Sequence, residues 1–197
     1  MGNYTVIADV GQAMIKLLRS QMVPEVIPKE EQIGFCTPQE VGNYRLGIYL
    51  YDIRESDVGR NEPKRWQGET VQVYPSMYLE LYYMLFPLSQ SNLQYRAVEE
   101  QKILGKLLQS LRDFPVMNAK TYEIEEKISS GTLQIEILDL SYEEKTKIWN
   151  NIHDTMRNVV YCKISPVELQ SERRQQIHRV REVQLQFGEG GVENHVG

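Results

Sequence analysis

The side chains that most often carry catalysis are few in this sequence, and they lie far apart. The three histidines are His153, His178 and His195, and the two cysteines are Cys36 and Cys162. They form no H-x-x-x-H, H-E-x-x-H or C-x-x-C spacing, which a metal or redox site would need. No G-x-S-x-G nucleophile turn and no glycine-rich phosphate loop occurs either. We therefore expect no catalytic residue, no metal and no cofactor, and an enzyme is disfavoured.

Two single residues are the best remaining candidates for a reactive site. Cys162 alternates with Val160 and Ile164, so we interpret it as a small buried residue of a strand rather than a nucleophile. Asp52 stands near the end of an apolar run, where a hydrogen bond at a strand end is the simpler interpretation. The position of Asp52 leaves one alternative open, in which the protein is a small cytoplasmic enzyme or ligand-binding domain with a cleft near Asp52.

The charge pattern favours protein partners over nucleic acid. The net charge is −5, whereas a protein that collects phosphates normally presents a basic field. Basic residues cluster in Arg54–Arg65 and Arg173–Arg181, but acidic residues are interleaved with both clusters. Mixed charge of this kind suits protein–protein contacts. Twelve tyrosines against four phenylalanines add side chains that suit half-buried faces and interfaces.

No segment predicts a membrane partner or export. The longest apolar run, Met77–Leu88, is about a dozen residues long and contains Glu80, which is too short to cross a bilayer. The N-terminus lacks the pattern of a signal peptide. We expect a soluble cytoplasmic protein with one α+β domain over residues 1–170 and a C-terminal arm and flexible tail over residues 171–197.

Two strands are expected to form the centre of the fold. Leu46–Ile53 and Met77–Leu88 both alternate with a period of two, which predicts adjacent central strands. In the first strand, Ile48, Leu50 and Asp52 should face one side, and Tyr49, Tyr51 and Ile53 the other. Further strands are predicted at Glu25–Ile27, at Val71–Val73 on an edge, at Thr132–Leu138, and at Asn158–Leu169, where Pro166 indicates an edge or a bulge.

Three helices are predicted from stripes of apolar residues and their caps. The first is capped by Thr5 and runs to about Ser20. The second has a capping box at Ser91 and Gln94 and runs to about Asp113, with Gly105 marking close packing on the sheet. The third follows a capping box at Ser141 and Glu144. Their expected buried residues are Ile7, Val10, Met14, Leu17 and Leu18; Ile103, Leu104, Leu107, Leu108 and Leu111; and Tyr142, Ile148, Trp149 and Ile152. The predicted fold class is α+β, with a single mixed, mostly antiparallel sheet flanked by helices.

Several stretches, taken in order, resemble one known family. IGFCTPQEV followed by LGIYLYDIRESDVGRN resembles its proline segment, its "LYLY" strand and a loop that ends in Arg60–Asn61. MYLELYYMLFPL and ILGKLLQSLRDFPVM resemble its next strand and helix. LSYEEKTKIWNN with NVVYCKISPVEL resembles its "LS-x-EE-x-x-K-x-W" helix and closing strand, and RVREVQLQFG resembles its last arm. Over residues 5–187 the chain is similar to the cap, or tail-terminator, proteins of contractile injection systems, the phage-tail-like particles related to antifeeding prophages.

The resemblance implies a structural protein and not an enzyme. Members of this family form a six-fold ring at the end of the particle far from the baseplate, where the ring stops polymerisation of inner tube and sheath and anchors the sheath. The implied fold is phage tail-terminator-like with a C-terminal arm. The implied partners are further copies of the chain in a homohexamer, the terminal sheath protein and the inner tube protein. The implied location is the cytoplasm during assembly and then a particle, retained or released. A baseplate or tube adaptor of the same particle is a further alternative.

Two segments are expected to make the contacts. Arg54–Ser76 is a long polar connection, either a solvated loop or a contact surface for a neighbouring subunit. Val180–Gly188, which we call the arm segment, alternates like a strand, so we expect it to add a strand to a neighbouring subunit or to the terminal sheath protein. The predicted interface residues are Arg54, Arg60, Asn61, Lys64, Arg65, Arg179, Val180, Arg181, Val183, Leu185 and Phe187.

Overall fold

Three α-helices and nine strands make up the part of the chain that the structure describes. The structure is a computed structural model, and it describes residues 4–40, 42–58, 62–122 and 131–177. In chain order the elements are α1 (Val6–Met22), β1 (Ile33–Phe35), β2 (Leu46–Glu55), β3 (Arg65–Gln67), β4 (Val71–Val73), β5 (Met77–Pro87), α2 (Leu93–Asp113), β6 (Val116–Asn118), β7 (Thr132–Leu138), α3 (Tyr142–Ile152), β8 (Val160–Leu169) and β9 (Arg174–Gln176).

The centre of the fold is a six-stranded mixed sheet in the order β1-β2-β5-β8-β7-β6. β1 runs parallel to β2, and every other neighbouring pair is antiparallel. β2 and β5 are adjacent, with Leu46 opposite Pro87 and Glu55 opposite Leu79. The predicted pair of central strands and the predicted α+β fold are confirmed.

Each face of this sheet carries its own apolar core. On the first face α1 and α2 cover Leu81, Tyr83 and Leu85 of β5 together with residues of β2, β7 and β8. On the second face α3 inserts Trp149 against Met84, Phe86 and Tyr161. The alternation of β5 produces this division, since consecutive side chains of a strand point to opposite faces.

A β-bulge changes the predicted facing of β2. Leu50 lies opposite Tyr83 and Asp52 lies opposite Tyr82, so Tyr51 is an extra residue in the ladder. The bulge resets the alternation, because two residues of one strand then face one residue of its partner. Asp52 consequently shares the second face with Tyr82, and Ile53 lies opposite the buried Leu81. The prediction that grouped Asp52 with Leu50 was wrong.

A second bulge explains how a proline fits into a central strand. β8 pairs with both β5 and β7, so it is not an edge strand. Leu79 lies opposite Val167 and Leu81 lies opposite Ile164, which leaves Ser165 and Pro166 facing one residue of β5. Of the two interpretations that Pro166 allowed, the bulge is confirmed. A bulge accommodates proline because the ladder there lacks one regular hydrogen bond.

A small second sheet stands beside the first, with the strand order β3-β4-β9. The predicted strand Val71–Val73 is present as β4, but it is the central strand of this sheet rather than an edge. Its outer neighbour β9 comes from the C-terminal part of the chain, with Val73 opposite Arg174 and Val71 opposite Gln176. The long polar connection is therefore a β-hairpin held by a distant strand.

Four local predictions are corrected by the structure. Glu25–Ile27 forms turns, in which the N–H groups of Val26 and Ile27 donate to Met22 O, and the strand of this region is β1. The second helix has Asn92 at its N-cap without a side-chain cap, and Ser91 instead donates to Glu99. Leu108 is 43% exposed and Tyr142 is 77% exposed, so neither belongs to the core.

The remaining helix predictions agree with the structure, apart from one glycine and the side-chain cap expected from Thr5. α1 begins after Thr5, whose side chain makes no capping hydrogen bond, and ends at Met22. α3 has the predicted capping box at Ser141 and Glu144, and His153 is its C-cap residue. Gly105 is exposed with open space around it, so it does not mark close packing.

Candidate functional site

The small sheet joins the two basic clusters into one surface, which we call the hairpin surface (Lys64, Tyr74, Arg173 and Gln175). The Tyr74 ring has two cations near it, with Lys64 Nζ at 4.3 Å and Arg173 Cζ at 4.2 Å from the ring centroid. Lys64 Nζ also donates to Gln175 Oε1 at 2.8 Å. Cation–π contacts of this kind hold basic side chains in fixed positions at a surface. The hairpin surface therefore presents ordered positive charge.

A polar pocket of about 490 Å³ lies between the hairpin surface and the end of β8. It is lined by Arg65, Trp66 and Arg174 and by Glu168, which is only 3% exposed. Ser76 Oγ donates to Glu168 Oε1 at 2.6 Å. Arg65 Nη2 donates to Glu62 Oε2 at 2.7 Å, and this bond raises the pKa of the Arg65 guanidinium. The pocket thus combines a buried acid with a rim of cations.

Arg54 lies elsewhere, on the second face of the main sheet. Its Nε donates to Asp52 Oδ2 at 2.7 Å, and its guanidinium carbon is 4.6 Å from the centroid of the Tyr82 ring. These groups line a groove of about 540 Å³ between β2 and α3, which we call the tyrosine groove. In it Tyr51 packs edge-on against Tyr82 and Tyr161, with ring centroids 6.2 and 5.8 Å apart. Burial raises the pKa of the Tyr51 hydroxyl, so this hydroxyl stays protonated.

A line of polar contacts continues from the tyrosine groove across the sheet. The Tyr82 hydroxyl donates to Glu80 Oε2 at 2.6 Å. Lys163 Nζ lies 3.5 Å from Glu80 Oε1 and 3.1 Å from Glu136 Oε2. The line joins side chains of β2, β5, β8 and β7, and opposite charges on neighbouring strands stabilise a sheet. These groups are paired with each other rather than arranged around a shared ligand.

The tyrosine groove bears on the alternative of a reactive site near Asp52. A groove is present beside Asp52, but the Asp52 carboxylate already accepts from Arg54 Nε and from the Ile53 N–H at 2.9 Å. Glu144, which also lines this groove, is the N3 residue of the capping box that Ser141 forms at the start of α3. Cys162 is fully buried, and burial raises the pKa of its thiol to about 12, which confirms its interpretation as a core residue.

The edge of the main sheet beside β1 forms the third surface. β1 covers β2 only from Leu46 to Ile48, although β2 continues to Glu55. An apolar groove of about 660 Å³ lies next to this edge, which we call the edge groove. It is lined mainly by apolar and aromatic side chains, among them Tyr4, Ile7, Phe35, Leu50 and Tyr83. The sequence predicted none of it, because the length of β1 and its parallel pairing with β2 have no local signal.

Of the predicted interface residues, the structure places three. Lys64 and Arg65 lie on or beside the small sheet, whereas Arg54 lies on the second face of the main sheet, at the tyrosine groove. The others fall outside the described residues: Arg60, Asn61, Arg179, Val180, Arg181, Val183, Leu185 and Phe187. Sequence reasoning missed Tyr74, Arg173 and Gln175, because the pairing that assembles them joins strands about a hundred residues apart.

The described residues contain neither a cluster of metal-ligating side chains nor a helix that could span a membrane. Among them, no group of three or more His, Cys, Asp or Glu side chains is arranged to hold an ion. No helix within the described ranges has the length and apolar character to cross a bilayer.

Comparison with solved structures identifies the fold. The cryo-EM structure of the sheath/tube terminator of PVC, an extracellular contractile injection system, matches with a TM-score of 0.59 and 14% identity, over 94% of this chain and 64% of that chain. The tube-terminating cap of the anti-feeding prophage matches with a TM-score of 0.59 and 15% identity, over 91% of this chain and 61% of that chain. The chain therefore spans less than two thirds of either terminator. At sequence identities this low, the structural match shows a shared fold.

Comparison with sequences identifies the family. No curated protein matches the chain significantly. The family model described as the Pvc16 N-terminal domain matches residues 9–182, which is most of the chain. The resemblance found in the sequence, to caps of contractile injection systems, is confirmed by this match, and the chain belongs to the Pvc16 N-terminal domain family.

Proposed function

We propose that this protein caps the baseplate-distal end of a contractile injection system. In this proposal six copies form a ring on the last rings of inner tube and sheath, stop further polymerisation of both and anchor the sheath. The observation that carries the proposal is the family match over residues 9–182. The shared fold with a sheath/tube terminator and a tube-terminating cap supports it.

The surfaces of the subunit suit a closed ring. A ring needs heterologous contacts, in which one surface of each copy binds a different surface of the next. The described residues present two unlike surfaces that could each take part in such a contact, the basic hairpin surface and the apolar edge groove, and each needs a complementary surface on its partner. In the proposal, the remaining exposed groups of the ring contact the inner tube protein and the terminal sheath protein. The ring is assembled in the cytoplasm and becomes part of a particle.

The first experiment measures the mass of the full chain in solution by light scattering over a concentration series. Six copies of the 23.0-kDa chain would weigh about 138 kDa. We expect a species of this mass that does not dissociate on dilution and that appears as a ring in negative stain. A terminator can also form its ring only when it binds the end of the tube or sheath. In that case we expect the free chain to be monomeric.

The second experiment separates a template-dependent cap from an unrelated protein. The full chain is co-expressed with the sheath and inner tube proteins, and the particles are purified and imaged. We expect the chain at one end of particles of uniform length, and longer particles in its absence. A chain that is monomeric alone and absent from such particles would overturn the proposal. Location at the baseplate end would favour the adaptor instead.

A further inference from the structure

β2 has an open edge, which we define as Leu50–Ile53 on the side of β1. The last ladder contact on this side is the Cys36 N–H donating to Ile48 O at 3.2 Å, after which the chain turns away through Thr37 and Glu40. Within the described ranges no strand pairs with β2 beyond Ile48 on this side. The Ile53 N–H donates to Oδ1 of its neighbour Asp52 at 2.9 Å. An uncovered edge is a template for a further strand.

The edge groove extends the open edge into a site for side chains. Leu50 belongs to both, and beside it the groove is walled by Phe35 of β1, Ile7 of α1 and Tyr83 of β5. Phe35 is 39% exposed, although it is an aromatic residue packed against a core helix. An added strand gains backbone hydrogen bonds from an edge and specificity from pockets for its alternate side chains.

The arm segment has the pattern that such a site requires. If the arm segment is extended, its alternation puts Val183, Leu185 and Phe187 on one face, and Glu182, Gln184 and Gln186 on the other. The first set suits the apolar edge groove, and the second set suits solvent. Arg179 and Arg181 precede them, and Glu40 at the groove carries the opposite charge.

The direction of β9 favours binding of the arm segment to a second copy of the chain rather than to its own β2. β9 begins opposite Val73, from which the chain leads into β5 of the main sheet, and runs antiparallel to β4. At its far end the Ile177 N–H donates to Thr70 O at 2.7 Å, at the tip of the β3–β4 hairpin. At Ile177 the chain is therefore directed away from its own main sheet. To reach its own β2 it would have to reverse direction and return along the hairpin.

We propose that the arm segment of one copy adds as a strand to the open edge of a second copy and places Val183, Leu185 and Phe187 in its edge groove. This inference rests on the proposed ring, and it assigns the contact that joins neighbouring subunits. Repeated around a ring, one donated strand and one accepted strand per copy leave no site unfilled. The same contact covers the open edge, which would otherwise pair with unrelated chains.

The test is a cysteine crosslink between two different full-length chains. Cys36 is replaced by Ser in both chains, and Cys162 is buried, so the introduced cysteines are the reactive ones. One chain carries Tyr4→Cys at the rim of the edge groove, where Tyr4 is exposed, and the other carries Leu185→Cys. The two chains are co-expressed, the 138-kDa rings or capped particles are isolated, and the disulfides are mapped by mass spectrometry after mild oxidation.

We expect a disulfide between the two chains that joins the thiol introduced by Tyr4→Cys to the thiol introduced by Leu185→Cys. The matched control is Gln184→Cys, which moves the thiol by one residue to the opposite face of the strand and should crosslink at least several-fold less. Absence of the disulfide in rings or particles that do form would overturn this inference and leave the proposed function standing. A third chain that carries both Tyr4→Cys and Leu185→Cys serves as a further control, and a disulfide found only within this chain, and not between the two singly substituted chains, would overturn the exchange between copies. Absence of both rings and capped particles for the wild-type chain would overturn the proposed function itself.

Discussion

Gly47 and Gly105 are two glycines in opposite environments. A Cβ at Gly47 would lie 2.4 Å from the Phe86 ring and 2.7 Å from Cys36 Sγ, whereas a Cβ at Gly105 would meet nothing within 4 Å. Overpacking a core costs about 1–3 kcal/mol. Replacing a glycine inside an exposed helix by alanine gains about 1 kcal/mol.

We therefore expect Gly47→Ala to lower the free energy of unfolding by about 1–3 kcal/mol and Gly105→Ala to raise it by about 1 kcal/mol. Urea unfolding of the two variants beside the wild-type chain measures both. Equal effects of the two substitutions would contradict the packing described here for β2.

Glu99 is a second residue whose environment sets a measurable property. Burial acts to raise the pKa of the Glu99 carboxyl, but hydrogen bonds from Ser89 and Ser91 and the Arg45 guanidinium outweigh it and hold this pKa below its ordinary value. A carboxyl whose pKa is depressed by folding stabilises the folded state above its unfolded pKa. That stabilisation is lost as the pH falls through the folded pKa.

We expect the wild-type chain to be more stable than Glu99→Gln at pH 7, and the difference to shrink as the pH falls below about 4.5, the ordinary value. Urea midpoints of both chains between pH 7 and pH 3 measure the difference. Glu143→Gln, on the exposed face of α3, is the control and should show no comparable change. A difference that stays constant over this pH range would mean that the contacts of ionised Glu99 with Ser89, Ser91 and Arg45 do not stabilise the folded state.

Single residues also show where sequence reasoning succeeds and where it stops. The burial of Leu107, Trp149 and Cys162 follows from their place in an apolar stripe or strand. The facing of Asp52 does not follow from the sequence, because it depends on the bulge at Tyr51. The alternation of apolar and polar residue types does not reveal where a bulge lies. Arg173 and Gln175 could not be predicted to lie near Lys64, because the spacing of residues within a short stretch does not show which distant strands pair.

At the level of elements, two similar motifs have different outcomes. Both Ser91 and Ser141 are followed three residues later by a residue that completes a capping box. Ser141 caps α3 and accepts from the Glu144 N–H at 3.3 Å, while Ser91 donates to Glu99 Oε2 at 2.6 Å and leaves the N-cap of α2 to Asn92. A nearby carboxylate has redirected the hydroxyl.

We expect Ser141→Ala to lower the free energy of unfolding by about 1 kcal/mol, the usual cost of a lost N-cap. Ser91→Ala should instead act through Glu99, so its effect should largely disappear in a Glu99→Gln background. A double-mutant cycle in urea measures this coupling. Independent effects of Ser91 and Glu99 would show that Ser91 acts on the helix after all.

Four strands of the main sheet, β2, β5, β7 and β8, were predictable to within a few residues, since each extends over seven or more residues. β1 and β9 were not, because each has three residues and gains its place from a neighbour distant in sequence. Short strands carry too few alternations to be distinguished from loops.

On the scale of the whole molecule, the C-terminal residues divide into a structural part and a part that we propose to be exchanged. β9 pairs with β4 up to Gln176, so a chain that ends after Ile177 retains every described element. We expect this truncated chain to unfold at the same urea concentration as the full chain but to form no rings, as measured by light scattering. A chain that ends after Gln170 also loses β9 and should expose the hairpin to proteolysis. Rings formed by the chain ending at Ile177 would contradict the proposed role of the arm segment.

The overall architecture was predictable because the central strands and helices follow from local patterns, and the family followed from the order of those patterns along residues 5–187. The candidate surfaces were predictable only in part. Lys64 and Arg65 lie on the hairpin surface and beside it, but the edge groove arises from the early end of β1 at Phe35. Where a strand stops depends on what surrounds it, and one sequence does not record those surroundings.

The two tryptophans differ in exposure, so their intrinsic fluorescence can report on binding at the hairpin surface. Trp149 is 2% exposed and donates its indole N–H to the Tyr161 hydroxyl, whereas Trp66 is 44% exposed beside the hairpin surface. Iodide should therefore quench the long-wavelength part of the emission, from Trp66, and spare the short-wavelength part, from Trp149. When a partner protein without tryptophan docks on the hairpin surface, iodide quenching should fall while the Trp149 emission stays unchanged. A Trp66→Phe variant, silent in this titration, would assign the signal, and docking of such a partner on the hairpin surface could then be followed in real time without a label.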